Sequence, residues 1–128
     1  MMRIDGRQLG RWSLRIDAAY CALLGVGVAL FSAQIAEGVA LPQPLIAAVG
    51  ITVVVWAGSI LWMLARLPLR FALRLVMIAN LLAAVAVAFT SIAAATVLVI
   101  AAIVAIAIDI ALFATSQAIA LRALPARA

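Results

Sequence analysis

The 128-residue sequence predicts an all-α integral membrane protein: a four-transmembrane-helix bundle with both termini on the cytoplasmic side, arranged as two tandem parallel helical hairpins. Three observations predict it. Hydrophobic residues make up 70% of the chain and charged residues 10%, with a mean hydropathy of +1.37, whereas a soluble domain carries roughly 25% charged residues. The apolar residues fall into runs long enough to divide into four crossings of ~20 residues each. The cations, all of them arginine, cluster at both ends and the middle of the chain. Residues 1–128 therefore read as a single membrane domain without an extramembrane one.

The N-terminal segment, 1–14, is basic. Arg3, Arg7, Arg11 and Arg15 stand four apart, with Ile4, Leu9, Trp12 and Leu14 between them. Anionic lipid attracts such a segment by ~1 kcal/mol per arginine near the surface, and Trp suits the interface. Arg3, Arg7, Arg11 and Trp12 are the candidate lipid-headgroup contacts, and Gly6 and Gly10 argue against a firm helix here. Nucleic acid is not expected as a partner, because topology already accounts for this charge.

Arg15 and Asp17 open the first apolar run, predicting a helix over about 15–36. "EGVALPQP" (37–44) ends it with Gly38, Pro42 and Pro44. A second uncharged run predicts a helix over 45–65, and "RLPLRFALR" (66–74) interrupts it with Pro68 and three arginines. From Leu75 to Ile108 there is no charge at all. At ~1.5 Å per residue a single helix of that length overshoots a ~30 Å hydrocarbon core, so the chain must fold back. "TSIAAAT" (90–96) is the polar cluster available for the turn, which predicts helices over 71–91 and 95–122.

The 37–44 and 90–96 connections carry no arginine, while the N-terminal, middle and C-terminal segments carry all nine. The positive-inside rule then puts both termini and the middle loop in the cytoplasm. "FSAQIAEG" lacks a small-x-small site ahead of Glu37, so the first run is expected to stay as a helix and not to be cleaved as a signal peptide.

Asp17, Asn80, Asp109 and Gln117 are the side chains hydrocarbon penalises most, at roughly +2.5 to +3.5 kcal/mol for a mid-helix Asp. Counted inward from the nearest arginines, Asp17 lies ~3 Å, Asn80 ~9 Å and Gln117 ~8 Å deep. Asp109 falls at the midplane if its helix is centred between Thr96 and Arg122. If "TSQ" (115–117) marks the interface, it is only ~9 Å deep and within reach of a snorkelling Arg15 or Arg74. The second placement is the expected one, giving an interhelical polar network of Asp17, Arg15, Asn80, Asp109 and Gln117. Asp109 is also the candidate protonatable site of a transporter, since intramembrane acids commonly mark ion paths.

Catalytic chemistry finds little to work with. The chain has no His and one cysteine, Cys21, so a disulfide, a usual transition-metal or haem site and a His-based triad are not expected. No cofactor and no enzyme activity are predicted; acid–base work would rest on Asp109 or Tyr20 alone. Small residues serve helix contact instead: Cys21, Gly25, Ala29 and Ala33 form a four-spaced stripe on the first helix, and Ala47, Gly50, Ala57 and Gly58 mark the second.

"LRIDAAYCALLGVGVALFS" (14–32) and "LRLVMIANLLAAVAVAFTS" (73–91) match at Leu, Arg, Leu, Val, Val, Ala and Ser, with Cys21 over Asn80. Both start from the arginine-bearing side, which describes a parallel repeat about an axis along the membrane normal. The second and fourth helices do not align. "LRIDA" (14–18), "IANLL" (78–82) and Gln117 followed by Leu121-Arg122 resemble small four-helix bacterial membrane proteins of unknown function, similar in size and topology to DoxX-like proteins. The resemblance implies a bacterial inner-membrane location and no established activity. Small multidrug transporters share the length and helix count, but their first-helix Glu in an aromatic setting is not matched by Asp17 beside Arg15. The expected role is an accessory subunit in contact with other membrane proteins or with itself. The alternative is a small homo-oligomeric transporter or channel using Asp109.

Overall fold

In the computed structural model, which describes residues 5–125, the chain forms five α-helices: α1 (Gly6–Leu30), α2 (Ser32–Gly38), α3 (Gln43–Arg66), α4 (Leu69–Thr90) and α5 (Val97–Ala123). α1, α3, α5 and α4 extended by a 3-10 turn at Ser91–Ala93 are each long and apolar enough to cross a membrane. α2 is a seven-residue helix at the turn between α1 and α3.

From Gly6 onward the basic segment is helical, contrary to expectation. Asp5 caps α1 by accepting from the backbone N–H of Arg7 at 3.1 Å and of Gln8 at 3.3 Å, so two otherwise unpaired donors are satisfied. The two glycines taken as helix breakers are points of close approach. A Cβ on Gly6 would lie 2.5 Å from the carbonyl carbon of Ala123, and one on Gly10 would lie 2.8 Å from Leu73 Cδ1. Arg3 lies outside the described residues.

The far end of α1 also differs from the expected 15–36. The helix stops at Phe31 (φ −103°, ψ 22°), and the chain restarts as α2. Proline sets the next boundaries. Pro42 precedes α3 and Pro44 occupies its first turn, where a missing N–H costs nothing, and Leu67-Pro68 separates α3 from α4. Thr96 caps α5 by accepting from Val99 N–H at 3.2 Å.

α1 packs chiefly on α3 and α4 on α5, giving two antiparallel hairpins joined mainly through α1 and α5. Gly6 against Ala123, Gly10 against Leu73 and a hydrogen bond from Arg70 Nη2 to the Pro125 carbonyl (2.8 Å) gather the start of α1, the end of α5 and the middle connection at one end. The arginine-free connections meet at the other end, where Ala40 N–H donates to the Ala93 carbonyl and Ala95 N–H to that of Gly38, both at 2.9 Å. All described arginines thus share one end of the bundle.

The core sits at that same end. Leu14, Ile60, Leu73 and Val76 are fully buried there, with Ala18, Met63, Ala72 and Ala120 between them. Closer to the other end, α1 and α3 approach to backbone contact: a Cβ on Gly25 would lie 2.6 Å from the Gly50 carbonyl oxygen, and one on Gly50 would lie 2.6 Å from Ala29 N. Gly25, Ala29 and Gly50 therefore serve helix contact as expected. Gly58 does not, since a Cβ there would meet nothing within 4 Å.

The repeat extends further than the sequence match suggested. Leu14, Asp17 and Cys21 on α1 correspond, 59 residues on, to Leu73, Val76 and Asn80 on α4, and these positions face the bundle interior in both. The buried positions Gly50, Ala57, Ile60 and Met63 of α3 recur 57 residues later as Ala107, Ala114, Gln117 and Ala120 of α5. Each of these two helices then ends in Leu-Pro, at Leu67-Pro68 and Leu124-Pro125. The second and fourth spanning helices do align, by burial; identity hid it because Ile60 is apolar where Gln117 is polar.

Candidate functional site

Three of the polar residues singled out from sequence meet where the hairpins join. Asp17 enters from α1, Asn80 from α4 and Gln117 from α5, and they are 1%, 4% and 0% exposed. Such burial is tolerable only if the polar atoms satisfy one another. They do: Asn80 Nδ2 donates to Asp17 Oδ2 at 2.6 Å and to Gln117 Oε1 at 3.1 Å, and Gln117 Nε2 donates to the same Asp17 oxygen at 2.8 Å. Cys21, one turn beyond Asp17, donates its thiol to Oδ1 at 3.4 Å. Every donor comes from a different side chain, so the carboxyl ties three helices and one neighbouring turn together.

Arg15 and Asp109 do not join them, which divides the expected five-residue network. Arg15 is exposed, its guanidinium 5.9 Å from the centre of the Trp12 ring. Asp109 stands at the middle of α5, with twelve helical residues before it and fourteen after. It lies 13 residues, or ~20 Å, from Arg122 of its own helix, and Arg15 stands against Trp12 and not against it.

Tyr20, which sequence reasoning did not connect to Asp109, is its partner. The phenol donates to Asp109 Oδ2 at 3.0 Å, and the ring lies against Phe113 with centroids 5.3 Å apart, tilted by 59°. Nearer the arginine end, Ser13 and Ser116 share a hydrogen bond at 2.7 Å. These contacts define the α1–α5 seam. Its antiparallel register, which brings residues 89 and 103 apart into contact, is a tertiary property.

The two acids are in different situations. No buried side-chain nitrogen or oxygen among the described residues lacks a hydrogen-bond partner. Asp109 Oδ1 accepts no bond from any described residue, so it is not sealed in; the residue is half-buried at the edge of the bundle. Asp17 is closed off, while Asp109 retains an open acceptor.

The predicted headgroup contacts Arg7, Arg11 and Trp12 come together on the outer face of α1. With Asp5, Gln8 and Arg15 they line a shallow cleft of about 330 Å³. Among the described residues no three His, Cys, Asp or Glu side chains gather in a way that could hold a metal ion.

No family model, curated protein or solved structure matches this chain.

Proposed function

We propose that this protein is an accessory subunit of a larger complex in the bacterial inner membrane, with both termini cytoplasmic and no catalytic chemistry of its own. The observation that carries this reading is how its polar side chains are used. Asp17, Asn80 and Gln117 are engaged in mutual hydrogen bonds between helices, a use that is structural. Asp109, midway along α5 at the outer edge of the bundle, keeps one oxygen without a donor among the described residues, where a neighbouring protein can meet it. The arginines at one end set the orientation by the positive-inside rule, and the Arg7–Arg11–Trp12 cleft lies at the level of anionic headgroups.

The test is to tag the C-terminus in the native host, extract in mild detergent and determine the mass and composition of what co-elutes. A stoichiometric complex well above the mass of the chain supports the subunit reading. A chain eluting alone or as a small homo-oligomer overturns it in favour of transport. The half-open carboxyl of Asp109 gives that second reading its one favourable observation. Asp17 and Asn80, sealed as they are, do not line a path.

A further inference from the structure

The start of α1 shows the bundle one face and its surroundings another. Gly6, Gly10, Ser13, Leu14 and Asp17 are buried, and at 100° per residue Arg7, Arg11, Arg15 and Trp12 fall on the opposite side, all of them exposed. Close approach of Gly6 to Ala123 and of Gly10 to Leu73 ties this stretch to the bundle. The three arginines are therefore carried on a fixed backbone, each ~6 Å further along the helix than the last. They line the 330 Å³ cleft with Asp5, Gln8 and Trp12, and there the Arg15 guanidinium lies over the Trp12 ring.

This charge has almost no counterpart within the chain. Of the four acids, Asp17 is sealed among Asn80, Gln117 and Cys21, Asp109 takes the Tyr20 phenol midway along α5, and Glu37 lies in α2 at the far end. Asp5 alone lines the cleft, and its Oδ1 is turned to the backbone N–H groups of Arg7 and Gln8. An anion arriving here meets side chains and not the helix end, and three guanidinium groups against one carboxylate leave the cleft a net charge of +2. Arginine forks match phosphate oxygens two at a time, and a phosphomonoester carries about −1.5 to −2 near neutral pH. A phosphodiester, with a single charge, answers only half of it. The positive-inside rule accounts for arginines at this end but not for their gathering on one face of one helix; Arg70, by contrast, is bound to the Pro125 carbonyl.

Further along α1 the cleft gives way to apolar surface. Trp12, Ile16 and Leu23, which are 52%, 52% and 77% exposed, share one side of the helix. A lipid seated by its headgroup on the arginines lays its chain along this stripe, a contact that free phosphate does not make, and Trp12 stands at the boundary as interfacial tryptophans do.

We infer that the Arg7–Arg11–Arg15 face of α1 binds one anionic lipid whose headgroup carries a phosphomonoester or diphosphate, with the guanidinium groups on the phosphate oxygens and the acyl chain along Ile16 and Leu23. The site goes beyond the subunit role and needs only that α1 spans the membrane.

The test titrates the full-length protein in mild detergent with dioleoyl phosphatidic acid, a phosphomonoester lipid, and with dioleoyl phosphatidylglycerol, a phosphodiester, reading bound lipid by native mass spectrometry. One phosphatidic acid per chain is expected, about fivefold tighter than phosphatidylglycerol, and excess inorganic phosphate should not displace it. Arg11→Gln with Arg15→Gln should weaken it about tenfold. Arg66→Gln with Arg74→Gln, which removes the same charge from exposed positions at the same end, should change it by less than about twofold. Equal affinity for the two lipids overturns the phosphomonoester class. An equal loss in the two double variants reveals diffuse charge and overturns the site. Displacement by inorganic phosphate overturns the lipid in favour of a soluble phosphate compound. Each result is read on the purified chain, so it stands whether or not a partner subunit co-elutes from the native host.

Discussion

Replacing Asn80 alone should damage the bundle more than replacing the whole buried network. Asn80→Leu removes two of the three amide hydrogen bonds, at ~0.6 kcal/mol each in a bilayer. It also strands Gln117 Oε1, whose only donor among the described residues is Asn80, at a further ~1–3 kcal/mol for a buried unsatisfied acceptor. The expected loss is about 2–4 kcal/mol. The triple variant Asp17→Val, Asn80→Leu, Gln117→Ile loses all three bonds, ~1.8 kcal/mol, but strands only the weak Cys21 thiol. Two of those apolar residues already stand at the repeat-related positions, as Val76 and Ile60, so the interface has room for their shapes. The triple variant should therefore cost about 2 kcal/mol, no more than Asn80→Leu alone and well below the sum of the three single changes. Unfolding of each variant in mixed detergent–SDS micelles, followed by far-UV circular dichroism, measures this. A triple-mutant cost equal to the summed singles within ~0.5 kcal/mol would show three independent residues and refute the network.

The glycines should separate sharply. Gly25→Leu and Gly50→Leu, whose new Cβ atoms would lie 2.6 Å from the facing backbone, should force α1 and α3 apart and lose at least ~2 kcal/mol, while Gly27→Ala and Gly58→Ala stay within ~0.5 kcal/mol, read by the same unfolding assay. For topology, replacing Arg66, Arg70 and Arg74 while adding three arginines within 37–44 should weaken the orientation. Cysteine-labelling reporters in the two connections, expected by the positive-inside rule to be protected and accessible from outside respectively in the parent, should then show mixed labelling.

Much of the fold was legible because hydrocarbon imposes it: uncharged runs of the right length, prolines at breaks and arginines on alternate connections each follow from bilayer physics without knowledge of tertiary contacts. Asp17, Asn80 and Gln117 were legible as a group because each must find a partner. What sequence could not show was set by helix–helix register. Gly6 and Gly10 look alike as breakers or as contact points until Ala123 and Leu73 are seen against them. Asp109 was assigned an arginine because charge pairing is readable from a sequence. Tyr20, 89 residues away, becomes its neighbour only when α1 and α5 pack antiparallel. Burial likewise exposed the repeat between α3 and α5, since Ile60 and Gln117 share a position without sharing chemistry.

That last pair explains why a polar cluster sits inside an otherwise oily bundle. With the repeat-related residues Val76 and Ile60 at every equivalent site, the two hairpins would meet through interchangeable apolar surfaces that slide by a turn at little cost. Asp17 and Gln117 break the equivalence on one side only, and Asn80 can bridge them in a single register, because a slip of one turn moves a donor ~5.4 Å from its acceptor. The network is thus worth little as net stability and much as a specification of which helices meet and how deep. Once that register holds, α5 carries Asp109 to the bundle edge with one oxygen bound by Tyr20 and the other unpaired. The sealed acid fixes the frame in which the open acid is presented, so loss of the Asp17 network should misplace Asp109 and weaken its hydrogen bond from Tyr20 even though no residue of the network touches either of them.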